Sequence, residues 1–303
     1  MLAWTLALLA ATHAAPMPSA PEVLSAAARD SLAGAYEKSR KDEQEDMRTG
    51  ATSYLATVLR TDFGAHARLV VGSAPDCGVR VEDAEMPAHA LEVTVVGDSF
   101  RVASLEPGAM FQWHHLEYVA ASLGPTAIQF GRWTLRLSHQ RFPAIIVFDP
   151  KSPRFALYKG REYFPFDPTL RFVAPLTAAA HPDTVIILST RGNRRRALRV
   201  GWFDLRVAGK PCRLEVHRLL EPGVDENSLS VFFRDATTGK TTYAVGRYVD
   251  PEPAGDGRWI VDFNGAYNPA CAFSEHYNCP IPTAANRLAI AIRAGEKDAH
   301  YAH

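Results

Sequence analysis

From Ala67 onward the sequence is cut into short apolar runs, each closed by Gly, Pro or Asp, and this punctuation most narrows the fold. Alternation along such a run sends one set of side chains into a core and the other towards solvent, the period of a β-strand. A first group reads Arg68–Gly72, Gly78–Glu82, Leu91–Val96, Phe100–Leu105, Ala127–Phe130, Trp133–Ser138 and Ala144–Phe148. The turn-rich "DPKSPR" (Asp149–Arg154) separates it from a second: Leu170–Thr177, Thr184–Ser189, Gly201–Val207, Leu214–Leu219, Leu229–Phe233, Thr241–Val245, Trp259–Phe263 and Leu288–Arg293. Short strands at close spacing argue for a sandwich or a barrel. "RDATTGKTTY" reads as a hairpin with Thr238 and Gly239 at its tip.

The chain ahead of these strands reads differently. Pro21 to about Thr61 is rich in Ala, Leu, Glu, Lys and Arg, and its apolar residues Val23, Leu24, Ala27, Ala28, Leu32 and Tyr36 fall at helical spacing. Glu37–Arg48 is nearly all polar and is expected to face solvent, whereas "SYLATVLR" should dock on the body. Residues 1–14 read as an export signal: Leu2–Ala11 is apolar except for Thr5, and small residues follow it. The run is too short to span a bilayer, and no later one is long enough for a membrane span. The organisation expected is a signal peptide at 1–14, a linker and helix at 15–61, a β-sandwich at 62–149 and a β-rich C-terminal domain at 150–303. Export implies a periplasmic or secreted protein.

Thirty-three basic residues balance thirty-three acidic ones, so no global field draws in nucleic acid, and no nucleic-acid partner is expected. "RGNRRRALR" (Arg191–Arg199) is a local exception, read as a solvated turn with a local anion site as its alternative. Four cysteines suit an oxidising compartment. Sequence distance favours a disulfide between Cys271 and Cys279, while Cys77 and Cys212 lie far from them and from each other.

The chemistry concentrates in "DFNGAYNPACAFSEHYNCP" (Asp262–Pro280). A strand ending in "VDFN" puts Asp262 and Asn264 on one face and Phe263 in the core. Pro269 then turns the chain and restricts Asn268. Four readings stand. A Cys271–Cys279 disulfide braces the loop. Cys271, His276 and Cys279 bind zinc with a further ligand, although their spacing is not that of a zinc knuckle. Cys271 is a nucleophile with His276 as its base. Compatible with the first, Arg247, Asp262, Asn264, Tyr267, Asn268 and Glu296 form a polar pocket for a small polar ligand or a protein partner. Buried turn-forming hydrogen bonds account for the same residues without any ligand.

Two resemblances sharpen this. "VVGSAPDCGVRVEDAEMPAHALEV" and "GPTAIQFG" resemble parts of a forkhead-associated domain, a β-sandwich that reads phosphothreonine. Ser73 and Met86 stand where that family has its phosphate-binding Arg and Ser, so the resemblance implies the fold without the phosphopeptide, and His89 is read as structural. "FRDATTGKTTYAVGRYV" and "IVDFNGAYNPACAFSEHYNCPIPTAANRLAIAIRAGEK" resemble domain-of-unknown-function family 1684 over about 190–298, with Gly265 in place of a usual Arg. The fold class expected is therefore mainly β: an N-terminal helix, then a forkhead-associated-like β-sandwich packed against a second β-rich domain.

No nucleophile elbow, zinc-helix motif or phosphate-binding glycine loop is present, so neither metal nor cofactor is expected. The leading expectation is a binding protein that uses a disulfide-braced polar loop. The alternative is an extracytoplasmic hydrolase with Asp262 and Glu296 as acid and base.

Overall fold

The computed structural model describes residues 17–299, so the export-type segment at 1–14 lies outside the described residues. The fold is mainly β, with one long α-helix among the described residues, α1 (Ala26–Thr49). Ser25 caps it by accepting from the Ala28 amide at 3.2 Å, and Gly50 closes it.

Alternation in the first group of strands builds two sheets around one core. A six-stranded sheet runs in the order Thr57–Asp62, Pro143–Phe148, Trp133–His139, Thr126–Phe130, Phe111–Trp113, Leu116–Tyr118. A five-stranded sheet runs in the order Val79–Arg80, Arg68–Gly72, Leu91–Val96, Ser99–Ser104, Ala120–Leu123. Val71, Val93, Phe100 and Val102 from the second meet Ile128, Leu135, Leu137, Ile145 and Val147 from the first in a shared core, which makes a sandwich.

The helical reading of the segment up to Thr61 is corrected. After Gly50 the chain makes a short 3-10 turn at Tyr54–Ala56 and enters a strand at Thr57–Asp62 that pairs antiparallel with Pro143–Phe148. Thr57, Val58 and Thr61 are β-branched, and that sheet edge offers them a partner that outweighs helical spacing.

The second core gathers strands from three small sheets. Arg171–Pro175 pairs with Arg258–Asp262, which pairs in turn with Glu252–Gly255. Thr177–Leu188, Arg194–Val207 and Lys210–Leu219 form a long meander, and Val231–Phe233 pairs with Arg247–Val249. Phe172, Phe203, Leu214, Val231, Phe233, Val261 and Phe263 fill their shared interior. The strands expected at Thr241–Val245 and Leu288–Arg293 are not formed. "RDATTGKTTY" folds as a turn, with Asp235 accepting from Thr237 and Thr238.

The arginine-rich "RGNRRRALR" is also corrected, because from Arg194 it lies within a strand and not a solvated turn. Arg195 is buried and grips both Glu221 oxygens, at 2.5 and 2.6 Å. Arg199 bridges Asp183 and Glu215.

The two parts meet through the outer face of the six-stranded sheet, where Ala56, Ile146 and Phe148 pack on Cys271, Tyr277 and Cys279. Helix α1 lies across the second part. Met47 is its one buried residue and packs with Ala272 and Phe273, while Tyr36 meets Phe166 ring to ring. No described helix is long and apolar enough to cross a membrane.

Candidate functional site

The strand Arg258–Asp262 ends in a 3-10 turn at Phe263–Gly265, for which Asp262 is the cap: its carboxylate accepts from the Asn264 amide at 2.9 Å. Phe263 faces the core as expected. Asp262, Asn264, Gly265, Tyr267 and Asn268 then line a cavity of about 1070 Å³, whose opposite wall is α1. Glu296 joins them from the C-terminal strap. Five of the six residues expected in a pocket therefore share one cavity.

Arg247, the sixth, does not line it. Its buried guanidinium donates to the Ile292 carbonyl at 2.7 Å, the Glu296 carbonyl at 3.1 Å and the Ala294 carbonyl, with Asp235 at 3.5 Å. Burial pushes it down to about 10. Arg247 is a strut that ties the strap carrying Glu296 to the core.

The two carboxylates expected in the pocket, Asp262 and Glu296, are each held by an arginine. Arg161 Nη1 donates to Glu296 Oε1 at 2.7 Å, and the Asn268 amide donates to Oε2 at 2.8 Å. Arg171 donates to Asp262 Oδ2 at 2.9 Å and to Glu22 at 2.7 Å. Burial raises the Glu296 carboxyl above the ordinary glutamate range against the pull of Arg161. Tyr36 of α1 stands beside Asp262, and burial together with that carboxylate keeps its phenol protonated. Tyr267 donates to Asp250 at 2.8 Å.

Three groups on the cavity wall have capacity to spare. Asn268 is 4 % exposed, and its Oδ1 accepts nothing among the described residues. Arg40 stacks over the Tyr163 ring at 4.6 Å and leaves a buried Nη2 without an acceptor. Arg136, on the six-stranded sheet, lies over Phe148 and forms no ion pair or hydrogen bond among the described residues. Sequence reading missed Tyr36, Arg40, Arg136, Arg161, Tyr163 and Arg171. The polar stretch Glu37–Arg48, expected to face solvent, turns Arg40 and Glu43 towards the body, where Glu43 accepts from Tyr163 and Arg161. Tyr36, Arg40, Glu43 and Met47 share one helical face, but a stretch polar at nearly every position carries no local signal of which face turns inward.

The far half of the Asp262–Pro280 stretch belongs to a second cavity of about 700 Å³. Cys271, Glu275 and Tyr277 line it together with Thr190, Arg191, Tyr243, Val245 and Ile281. All four cysteines are free thiols, so the expected Cys271–Cys279 disulfide is not formed in this structure. The pair is nonetheless adjacent. The Cys271 amide donates to Cys279 Sγ at 3.3 Å. Cys271, His276 and Cys279 do not converge as metal ligands. Among the described residues the group that does is Asp76, Cys77 and His89, with ligand atoms within 4.8 Å of one another. His89 meets Asp76 at 3.0 Å across the turn, as a structural histidine would. Ser73 donates to the Met86 carbonyl at 2.9 Å and Met86 is buried, so both departures from the forkhead-associated pattern serve the scaffold.

Comparison with known proteins agrees with the C-terminal resemblance. No curated protein matches the chain. The solution NMR structure of an uncharacterized protein from Haloarcula marismortui (gene locus rrnAC0354) is 34% identical, covering 49% of this chain and 82% of that one, with a TM-score of 0.40. Mycobacterium tuberculosis EmbR, solved with a low-affinity phosphopeptide, is 16% identical, covering 42% of this chain and 32% of that one, with a TM-score of 0.21. The family described as "Protein of unknown function (DUF1684)" matches residues 156–297, which takes in Arg161, Tyr163 and Arg171 as well as the Asp262–Glu296 wall. This chain belongs to that family.

Proposed function

We infer that the cavity beneath α1 binds a small polar ligand that carries an anionic group. The observation that carries this reading is a set of polar groups around the cavity with capacity to spare: the Arg40 and Arg136 guanidiniums and the Asn268 Oδ1. A buried polar group left unpaired costs about 1–3 kcal/mol, and a ligand that pairs Arg40 Nη2 and Asn268 Oδ1 recovers that cost, with Arg136 as a further donor. Guanidinium favours carboxylate or phosphate oxygens. Asp46, Asp250 and Glu252 also line the cavity, which disfavours a polyanion and favours a singly charged or zwitterionic ligand.

The test is thermal unfolding with acetate, glutarate, glycine and lysine as probes, on the wild type and on Arg40→Met and Arg136→Met. A rise in Tm that both substitutions abolish supports the reading. A rise that neither variant alters, or no rise with any probe, removes it. The apolar segment at 1–14 supports an exported, periplasmic or secreted protein, and the mature N-terminus determined by mass spectrometry decides that.

A second reading, a hydrolase with Asp262 and Glu296 as acid and base, is favoured by one observation: both carboxylates line the same cavity and the Glu296 carboxyl is raised. Against it, every oxygen of the two already accepts from Arg161, Arg171, Asn264 or Asn268. Ester or amide turnover abolished by both Asp262→Asn and Glu296→Gln would establish it over simple binding.

A further inference from the structure

The second cavity is independent of the ligand site, and its chemistry lies in Cys271. Cys271 lines the cavity, whereas Cys279, bonded to it from behind, does not. The Tyr243 hydroxyl donates to the Cys271 carbonyl at 3.1 Å and lies 3.9 Å from its sulfur, and Thr190 stands on its other side. We propose that this cavity is a thiol–disulfide exchange site, with Cys271 as the attacking thiol, Cys279 as the resolving thiol and a small organic disulfide as substrate.

The arrangement is asymmetric in the way that exchange requires. The Cys279 thiol and the Tyr243 hydroxyl, 3.9 Å away, stand against Cys271 Sγ, with Thr190 beside them on the cavity wall. They hold its thiol below the ordinary cysteine range despite burial. Cys279 is pushed the other way by its bond to Cys271 and by burial, which suits a thiol that acts second. A reactant entering the cavity meets Cys271 first, because Cys279 does not line it. The walls suit a disulfide larger than a peroxide: Val245, Tyr277 and Ile281 offer apolar surface, while Arg191 and Glu275 offer both signs of charge to the ends of an amino-acid-derived disulfide.

The steps balance. The Cys271 thiolate attacks one sulfur of R–S–S–R, forming a Cys271–S–S–R mixed disulfide and expelling R–S⁻, which takes up the proton that Cys271 lost. Cys279 then loses its proton and attacks Cys271 Sγ, closing Cys271–S–S–Cys279 and expelling the second R–S⁻, which takes up that proton. Two thiols of the protein are oxidised and one disulfide is reduced to two thiols. The loop-bracing disulfide suggested by the sequence is then the product of this reaction and not a fixed part of the scaffold.

The probe is glutathione disulfide, added at neutral pH to the reduced, full-length protein, with N-ethylmaleimide quenching and peptide mapping over time. The Cys271–Cys279 linked peptide should form while Cys77 and Cys212 stay alkylatable. Both of these thiols are raised by burial, Cys212 to about 11, and they serve as internal controls. Cys279→Ser should trap glutathione on Cys271, and Cys271→Ser should take up none at position 279. Cys271 should react more than about tenfold faster than either control thiol. If Cys77 or Cys212 reacts as fast, if Cys279→Ser carries no glutathione, or if hydrogen peroxide closes the pair while glutathione disulfide does not, the proposal is overturned. Should Cys279→Ser fail to fold, the order of labelling in the wild type still decides.

Discussion

Arg161 and Glu296, 135 residues apart in the chain, form an ion pair at 2.7 Å in which the carboxylate is 2 % exposed and the guanidinium 12 %. Such a pair is costly to break from one side, because the partner left behind is a buried charge without compensation.

That asymmetry gives the first prediction. Arg161→Met should cost about 3–5 kcal/mol by urea unfolding, and Arg161→Met/Glu296→Gln should recover most of the loss. The Glu296 carboxyl is raised by burial more than Arg161 lowers it. The folded state therefore binds this proton more tightly than the unfolded state. The stability the group contributes is full below the ordinary glutamate range and is lost as pH rises through the raised value. The urea midpoint of the wild type should fall across that window, and Glu296→Gln should flatten the fall. A Glu296→Gln curve that parallels the wild type would show the carboxylate to be ordinarily solvated.

The second prediction separates neighbours in one arginine run. Arg195 is buried against Glu221 and also donates to the Asn278 carbonyl at 2.9 Å, whereas Arg194 and Arg196 point outward from the same strand. Arg195→Met should cost about 3–5 kcal/mol, and Arg194→Met or Arg196→Met within about 0.5 kcal/mol. Equal losses at all three positions would return the run to the solvated reading.

How much of this was legible depends on the range of the cause. Strands at Arg68–Gly72 and Leu91–Val96 follow the alternation of their own residues, and the structure has them with the same bounds. The strand at Thr57–Asp62 was read as helix because its partner, Pro143–Phe148, is distant in sequence. The pocket residues Asp262, Asn264, Tyr267 and Asn268 were legible as a dense polar motif, and Glu296 through the "AGEK" segment of the family resemblance. Their counter-charges Arg161 and Arg171 were not, because nothing local to an arginine names the carboxylate it will meet. Arg247 was misplaced for the same reason: its three carbonyl acceptors lie in a strap without regular secondary structure, and irregular backbone leaves no periodic trace.

That strap supplies the third prediction. Arg247→Lys keeps the charge but loses the planar fork, and one ammonium on a different stem cannot meet the Ile292, Ala294 and Glu296 carbonyls in the same geometry. The variant should lose about 2–4 kcal/mol, and amide exchange should rise first across 292–297. Uniform loss of protection along the chain would mean that the strap is not a separate unit of stability.

The last prediction concerns two glycines, Gly265, which lines the cavity, and Gly295, which does not. Gly295 has φ +74°, and a Cβ there would lie 2.3 Å from the Ala266 carbonyl oxygen, a backbone atom that cannot swing aside. The Glu296 amide donates to that same carbonyl at 2.8 Å, so the strain would fall on the contact that sets Glu296 in place. Gly295→Ala should cost more than about 2 kcal/mol. Gly265 makes the contrast: its backbone is unstrained, and an added Cβ would meet only Tyr36, whose hydroxyl would lie 3.4 Å away. Gly265→Ala should leave the urea midpoint within about 0.5 kcal/mol of wild type, while narrowing the cavity under α1 and weakening any probe that raises Tm. If Gly265→Ala keeps the full Tm shift, the ligand does not reach the wall between Gly265 and Tyr36, and its contacts lie towards Arg136 and Asn268 instead.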